Sequence, residues 1–239
     1  QDQMALDAAG ARLAPHGDRV ILRHRRFDGI TEVVRDLGID RLSGCLFDLG
    51  VSSPQLDRAD RGFSFRNDGP LDMRMDQRAA VSADDLVNGL DEGALASLLR
   101  RHGDEPHARR IARAIVAARN EAAIASTTQL AEIVSSVVPA HTRKKHPATK
   151  TFQAIRIFVN DELGQIEAAL QQSLDVLKRG GRLCVISFHS LEDRIVKRFM
   201  RDASRESEQY RGMPDVPQEH QPKLRLIGKA ITASAEEIA

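Results

Sequence analysis

Two short apolar runs of strand type, Leu42–Asp48 and Arg182–Ser187, stand towards opposite ends of this 239-residue chain with most of its length between them. Each follows a helical pattern. Ile30, Val33, Val34 and Leu37 recur at helical spacing before Gly38, and Phe152, Ile155, Val159, Leu163, Ile166, Leu170, Leu174 and Leu177 mark one long amphipathic helix that Gly180–Gly181 would stop. Arg19–Arg23 reads as a further short strand, so the chain opens as strand, helix, strand, the βαβ unit of a parallel sheet. Leu191–Met200, with Ile195, Val196 and Phe199 on one face, continues the alternation after the last strand. The fold class expected is α/β with a mostly parallel sheet.

Between the two halves the strand signals vanish. From about Ser82 to Pro139 only helical patterns occur: Leu86/Leu90, Leu95/Leu98/Leu99, Ile111/Ile115 and Leu130/Ile133/Val134/Val137. Asp104–Glu105–Pro106 breaks this series, and Ser126–Thr127–Thr128 breaks it again while offering an N-cap. The pattern predicts an all-helical domain inserted into the α/β domain, with boundaries at 1–78, 79–145 and 146–239. From Arg201 to Pro222 the chain is polar with three prolines and reads as a loop or disordered link.

Composition sharpens this. At 41% hydrophobic and 29% charged the chain suits a globular protein, and no apolar run is long enough for a membrane span. Cys45 and Cys184 both fall within strand-like runs and read as buried free thiols of a reducing, cytoplasmic compartment. The net charge of +1 hides an asymmetry: Asp28–Glu92 holds fourteen acids against seven bases, whereas Arg100–Arg156 holds eleven bases against four acids, with four of the eight histidines. The second segment is either a surface for polyanions or a solvated helical face. His102, His107, His141 and His146 lack metal-ligand spacing, so no metal is expected.

Four stretches hold candidate chemistry. Asp48 closes a parallel strand, where open α/β sheets bind ligands, and Leu49–Gln55 follows as a turn of small residues; a structural turn capped by Asp48 is the plainer alternative. Ser187–Ser190 forms a second strand-end group, in which Ser190 resembles a helix N-cap and His189 either lines a pocket or bonds a neighbouring loop. Arg61–Asp76 mixes aromatics, glycines and charges without a period and is expected to be an ordered lid over a site. Lys144, Lys145, Lys150 and Arg156 form a basic cluster able to hold phosphates.

Taken in order, Phe47–Leu56, Arg61–Phe65, Gly69–Met75, His146–Ala154 and Ile186–Arg194 closely resemble the motifs of the bacterial ribosomal RNA small-subunit methyltransferase H family, also called MraW. The resemblance runs the length of the chain. It implies a Rossmann-like S-adenosylmethionine-dependent methyltransferase with a helical insert, acting on the exocyclic N4 of a cytidine in the decoding region of 16S rRNA in the small ribosomal subunit. It also implies cofactor contacts at Phe27 (expected at the end of a strand, against the adenine), Asp48 and Gln55. The family's Gly-Gly-His loop and the acid that grips the cofactor ribose would lie before Gln1, and a last strand after Ala239.

Ser53 and Pro54 sit in Ser52–Ser53–Pro54, an imperfect likeness of the turn that holds the amine in amino-methyltransferases; Gln55 stands where those enzymes carry a base-stacking aromatic, leaving Phe63, Phe65 and Phe188 as candidates. Two other classes share parts of this pattern. A catalytically silent RNA-binding module would share the basic segment, and a nicotinamide-dependent or other Rossmann-type enzyme would share the sheet.

Overall fold

The computed structural model describes residues 1–139, 146–206, 210, 213–215, 217 and 220–234. Helix α1 (Gln3–Leu13), capped by Asp2, runs into a 3-10 turn, Ala14–Arg19. A second 3-10 turn, Phe27–Gly29, leads to α2 (Ile30–Asp36) and then to β1 (Leu42–Asp48). After the short α3 (Ser53–Asp57) come four helices of the insert: α4 (Ala83–Gly89), α5 (Glu92–Gly103), α6 (Ala108–Glu121) and α7 (Thr127–Val137). Helices α8 (Thr149–Asn160) and α9 (Glu162–Val176), strand β2 (Leu177–Ile186) and α10 (Ser190–Ala203) complete the order. Among the described residues no helix is long and apolar enough to cross a membrane.

β1 and β2 pair in parallel, with Asp48 opposite Ile186. On one face Cys45 packs with Val34 and Val176, and Phe47 packs with Ile166, Leu170, Val196 and Phe199. The opposite face carries Leu46, Cys184 and Ile186, and all three are exposed. Cys184 therefore departs from the buried position expected: it pairs with Leu46 rather than Cys45 in the register, so it projects from the other side.

Three expected elements also differ. Residues 20–26 hold no strand; Val20 has extended dihedrals, but β1 has β2 as its sole ladder partner among the described residues. The long helix expected over 152–177 is two helices. Asp161, in the left-handed region at φ 50°, separates them and is held by Arg26 at 2.7 Å; because only one residue intervenes, the apolar spacing runs on almost in phase. Gly180–Gly181 does not stop that helix, which already ends at Val176. The pair lies inside β2, where the ladder slips between Leu42 and Gly44, and a Cβ on Gly181 would come within 2.9 Å of the Lys178 carbonyl.

A second core fills the insert. Leu95, Leu99, Ile111, Ile115, Leu130 and Val134 are fully buried, and Phe152 and Ile155 of α8 join them, so the cluster runs from Leu71 to Ile155. The breaks at 104–106 and at Ser126 fall as the sequence predicts, Ser126 accepting from the Gln129 N–H. Arg61–Asp76 is ordered, but it is a strap built into this core rather than a cover over an open site. Phe63, Leu71, Met73 and Met75 are buried, Pro70 forms an antiparallel bridge with Ser126, and a Cβ on Gly62 would collide with the Pro70 carbonyl.

Asn160, at the end of α8, clamps the strap. Its Oδ1 accepts from the Met75 N–H at 2.7 Å and its Nδ2 donates to the Met73 carbonyl at 2.8 Å. Asn160→Ala leaves two buried backbone groups without partners and is expected to lower the free energy of unfolding by about 2–4 kcal/mol. Urea denaturation measures this; a loss below about 1 kcal/mol would mean that apolar packing alone seats the strap.

Candidate active site at the carboxyl end of the strand pair

The parallel register sends two loops out side by side, and the Leu49 N–H donates to the Ile186 carbonyl at 3.1 Å to join them at the base. Asp48, the last residue of β1, is exposed, and its carboxylate has neither a hydrogen bond nor an ion pair among the described residues. Gly50 then turns the chain at φ 88°, a conformation that disfavours any side chain. Ser52 caps α3, with Ser53 and Pro54 exposed in its first turn.

Gln55 is buried and both ends of its amide are engaged: Oε1 accepts from the Ser52 N–H at 3.0 Å and Nε2 donates to Asp2 at 2.9 Å. Asp2 also meets Arg61 at 2.8 Å. Burial pushes the Asp2 carboxyl up, but the hydrogen bonds from Gln55 and Arg61 outweigh it and hold the group below its ordinary value. The sequence gives no hint of this link, since Asp2 lies far from both partners along the chain.

Phe27 is not at the end of a strand but opens a 3-10 turn, with its half-buried ring 6.0 Å from that of Phe47. The packing on Phe47 sets it against the covered face of the strand pair, near the end of β1.

On the β2 side, Phe188 is 69% exposed. The cap of α10 is His189, not Ser190: its Nδ1 accepts from the Glu192 N–H at 3.4 Å. In return Glu192 Oε2 accepts from the N–H groups of Phe188 at 2.8 Å and His189 at 3.3 Å. Arg156, expected at a phosphate, is largely buried, and its guanidinium forks onto Glu162 with two bonds of 2.8 Å while approaching His189 Nε2 at 3.5 Å. Glu162 and Glu192 went unrecognised in the sequence. His189-x-x-Glu192 has the spacing of a capping box and could have revealed the second.

The basic cluster divides. Lys144 and Lys145, like His141, lie outside the described residues, and Lys150 is half-buried with its ammonium donating to the Asp104 carbonyl at 2.8 Å. Arg100 and Arg101 at the end of α5, and Arg109 and Arg110 at the start of α6, are exposed and without ion-pair partners among the described residues. His102 and His107 sit at the two ends of the α5–α6 turn.

The profile of the MraW methylase family matches residues 1–239. The chain belongs to that family. Among curated relatives, "Ribosomal RNA small subunit methyltransferase H" of Chromohalobacter salexigens is 50% identical over 242 positions, spanning 99% of this chain and 73% of the relative. The proteins of the same name from Syntrophotalea carbinolica and Azorhizobium caulinodans are 48% and 50% identical, and the matches cover 77% and 69% of their lengths.

In this MraW methylase the loop after β2 is held by a buried charged group of four side chains. Glu162, His189 and Glu192 offer ligand atoms within 4.8 Å of one another, and the guanidinium of Arg156 supplies the positive charge they surround. Burial raises Glu162 above its ordinary value, with Arg156 opposing, and burial likewise raises Glu192. Burial and then Arg156 lower His189. Nδ1 accepts the cap bond, while Nε2 faces the guanidinium of Arg156 at 3.5 Å and Glu192 Oε1 at 3.2 Å.

Because the folded state favours protonated Glu192, its contribution to stability is full below the ordinary value of 4.5 and is lost as pH rises through the raised one. Glu192→Gln carries no titrating proton, so its stability relative to the parent should climb as the buffer is taken from about pH 5 to 8. Glu192→Ala should be less stable throughout by about 1–3 kcal/mol, having stranded two N–H groups. A parent-minus-Gln difference that stays flat across a pH series of urea titrations would remove the perturbed carboxyl from this account.

Proposed function

We propose that this chain forms the body of an enzyme that moves a methyl group from S-adenosylmethionine to the exocyclic N4 of a cytidine in 16S rRNA of the small ribosomal subunit. The observation that carries the reading is the unpartnered Asp48 carboxylate at the carboxyl end of a parallel strand, in a chain of this methylase family. Such a reading implies a cytoplasmic enzyme.

The residues suit the cofactor. A free carboxylate complements a ligand bearing sulfonium and ammonium charge, an aromatic wall suits an adenine, and Gly50 leaves open the room that a Cβ would fill within 3.4 Å of Phe188. We assign Phe27 and Asp48 to direct contact, and Gln55 to shaping the turn from beneath, since its amide is already engaged by Ser52 and Asp2. S-adenosylmethionine, when bound, supplies a sulfonium methyl whose departure leaves the electron pair on sulfur. The cytosine amine is a weak nucleophile because its lone pair is delocalised into the ring. The Ser53–Pro54 turn supplies acceptors that orient the amine and draw on its N–H as the N–C bond forms, and the proton passes outward to solvent. The base reaches this turn unpaired or flipped from its helix.

Phosphates are held by Lys144, Lys145 and Lys150 together with the exposed arginines of the α5–α6 corner. Arg156 belongs to the interior.

Labelled S-adenosylmethionine given to full-length enzyme with small subunits lacking the methyl group should place label on the N4 of one cytidine, as read by nucleoside mass spectrometry. Label on C5, a sugar or protein would defeat the assignment. Asp48→Ala should weaken cofactor binding by about 1.5–3 kcal/mol in calorimetry. Replacing Lys150, Arg109 and Arg110 by Ala should leave that affinity alone and reduce the log-salt slope of RNA binding by about 0.7 for each phosphate no longer neutralised. An unchanged slope would return the corner to a solvated helical face.

A further inference from the structure

Of the eight phenylalanines, Phe47, Phe63, Phe152 and Phe199 are buried, Phe27 and Phe65 half-buried, and Phe158 stands edge-on to His102 at 5.5 Å. Phe65, one of three candidate stacking residues, is itself enclosed by His146 and Phe152 at 4.5 and 4.9 Å. Phe63 lies in the strap at 5% exposure. Only Phe188 offers most of a ring to solvent, two residues beyond the rung that pairs Asp48 with Ile186.

The ring's backbone is anchored. Buried Glu192 holds the Phe188 N–H at 2.8 Å and the next N–H as well, and the His189 cap fixes the turn from the other side. Beneath lies Gly50, where a Cβ would sit 3.4 Å from Phe188 Cδ2, so the ring rests on the bare backbone of the loop that carries Asp48 and Ser53. Folding gains little from an exposed ring held this firmly, because the ring buries little of its own surface.

We infer that Phe188 is the platform on which the target pyrimidine stacks, taking the part that the aromatic after the Ser-Pro turn plays in related amino-methyltransferases and that Gln55 cannot play here. Stacking fixes the plane of the base, and with it the direction of an amine lying in that plane, towards the Ser53–Pro54 turn. Glu192 is then a positioning residue, acting through the backbone of Phe188. The inference rests on the proposed reaction and names the group that holds its substrate.

The test uses full-length enzyme carrying Phe188→Ala, Phe188→Leu, Phe188→Tyr or Phe188→Trp, with unmethylated small subunits as substrate. Ala and Leu should lower kcat/KM by about ten- to a hundredfold, the range of one base–aromatic stack, while Tyr and Trp restore it and cofactor affinity and thermal midpoint stay level. Full turnover in Phe188→Leu would reduce the ring to apolar cover, and loss of cofactor affinity in Phe188→Ala would make it a wall of the cofactor pocket; either overturns the inference. If the parent enzyme itself transfers no methyl to subunits, the proposed reaction has failed, and the platform is judged separately. This chain has no tryptophan, so Phe188→Trp adds an indole at the platform, read as the difference from the parent enzyme. Its fluorescence should be quenched by polycytidylate and not by S-adenosylhomocysteine, and an indole indifferent to saturating polycytidylate would end the idea.

Discussion

The parallel pairing of β1 with β2 is the constraint on which the rest of the molecule hangs. Parallel neighbours cannot be joined by a tight turn; the chain must cross over, and here the crossover contains the whole helical insert. Closing so long a connection is entropically costly but only weakly dependent on length, which is why a second core can be housed inside it. What the pairing achieves chemically is local. It brings Asp48 level with Ile186, and so sets a free carboxylate, a turn of small polar residues and an exposed aromatic ring at one end of two strands.

That arrangement has to be fixed against solvent and against its own flexibility. The loop after β2 is secured by Glu192, whose carboxylate takes up two backbone donors from within the protein, and by His189 reaching back to the helix start. Burying two glutamates and a histidine so close together is unfavourable unless a cation joins them, and Arg156 fills that need with a two-pronged grip on Glu162. Removing Arg156 would leave Glu162 as an uncompensated charge in a dry setting, so the fork is what makes the buried group tolerable.

How much of this could be read beforehand follows from range. β1, the helical insert and its two breaks are written in local periodicity and capping, and Leu42–Asp48 emerges as the strand the alternation suggests. Features decided by distant partners were hidden. Asp161 looks like any polar position on a helix until Arg26 is seen beside it, the glycine pair looks like a helix stop until Ser43 is placed opposite, and Cys184 looks buried until the register assigns its face. At the site, Asp48 was visible because strand ends are where α/β sheets do chemistry. The Gln55–Asp2–Arg61 link and the Arg156–Glu162 pair were not, because neither has the spacing of a motif.

Helix α8 shows why the two cores act as one body. Phe152 and Ile155 of α8 lie in the insert's core, while Arg156, the next residue, and Asn160, a turn further on, hold the charged group beneath the β2 loop and the strap. At the same corner the start of α8 and α10 are both tied to the α5–α6 turn, Lys150 by the Asp104 carbonyl and Arg194 by the Asp104 carboxylate at 3.1 Å. A close-packed interior does not deform smoothly, so a shift of the insert cannot be absorbed within a single α-helix only three turns long. It would have to break the Arg156–Glu162 fork or the Asn160 clamp. Rigid seating of the insert on the sheet therefore fixes the distance between the exposed arginines of α5 and α6 and the strand ends, and with it the span a bound polyanion must cover.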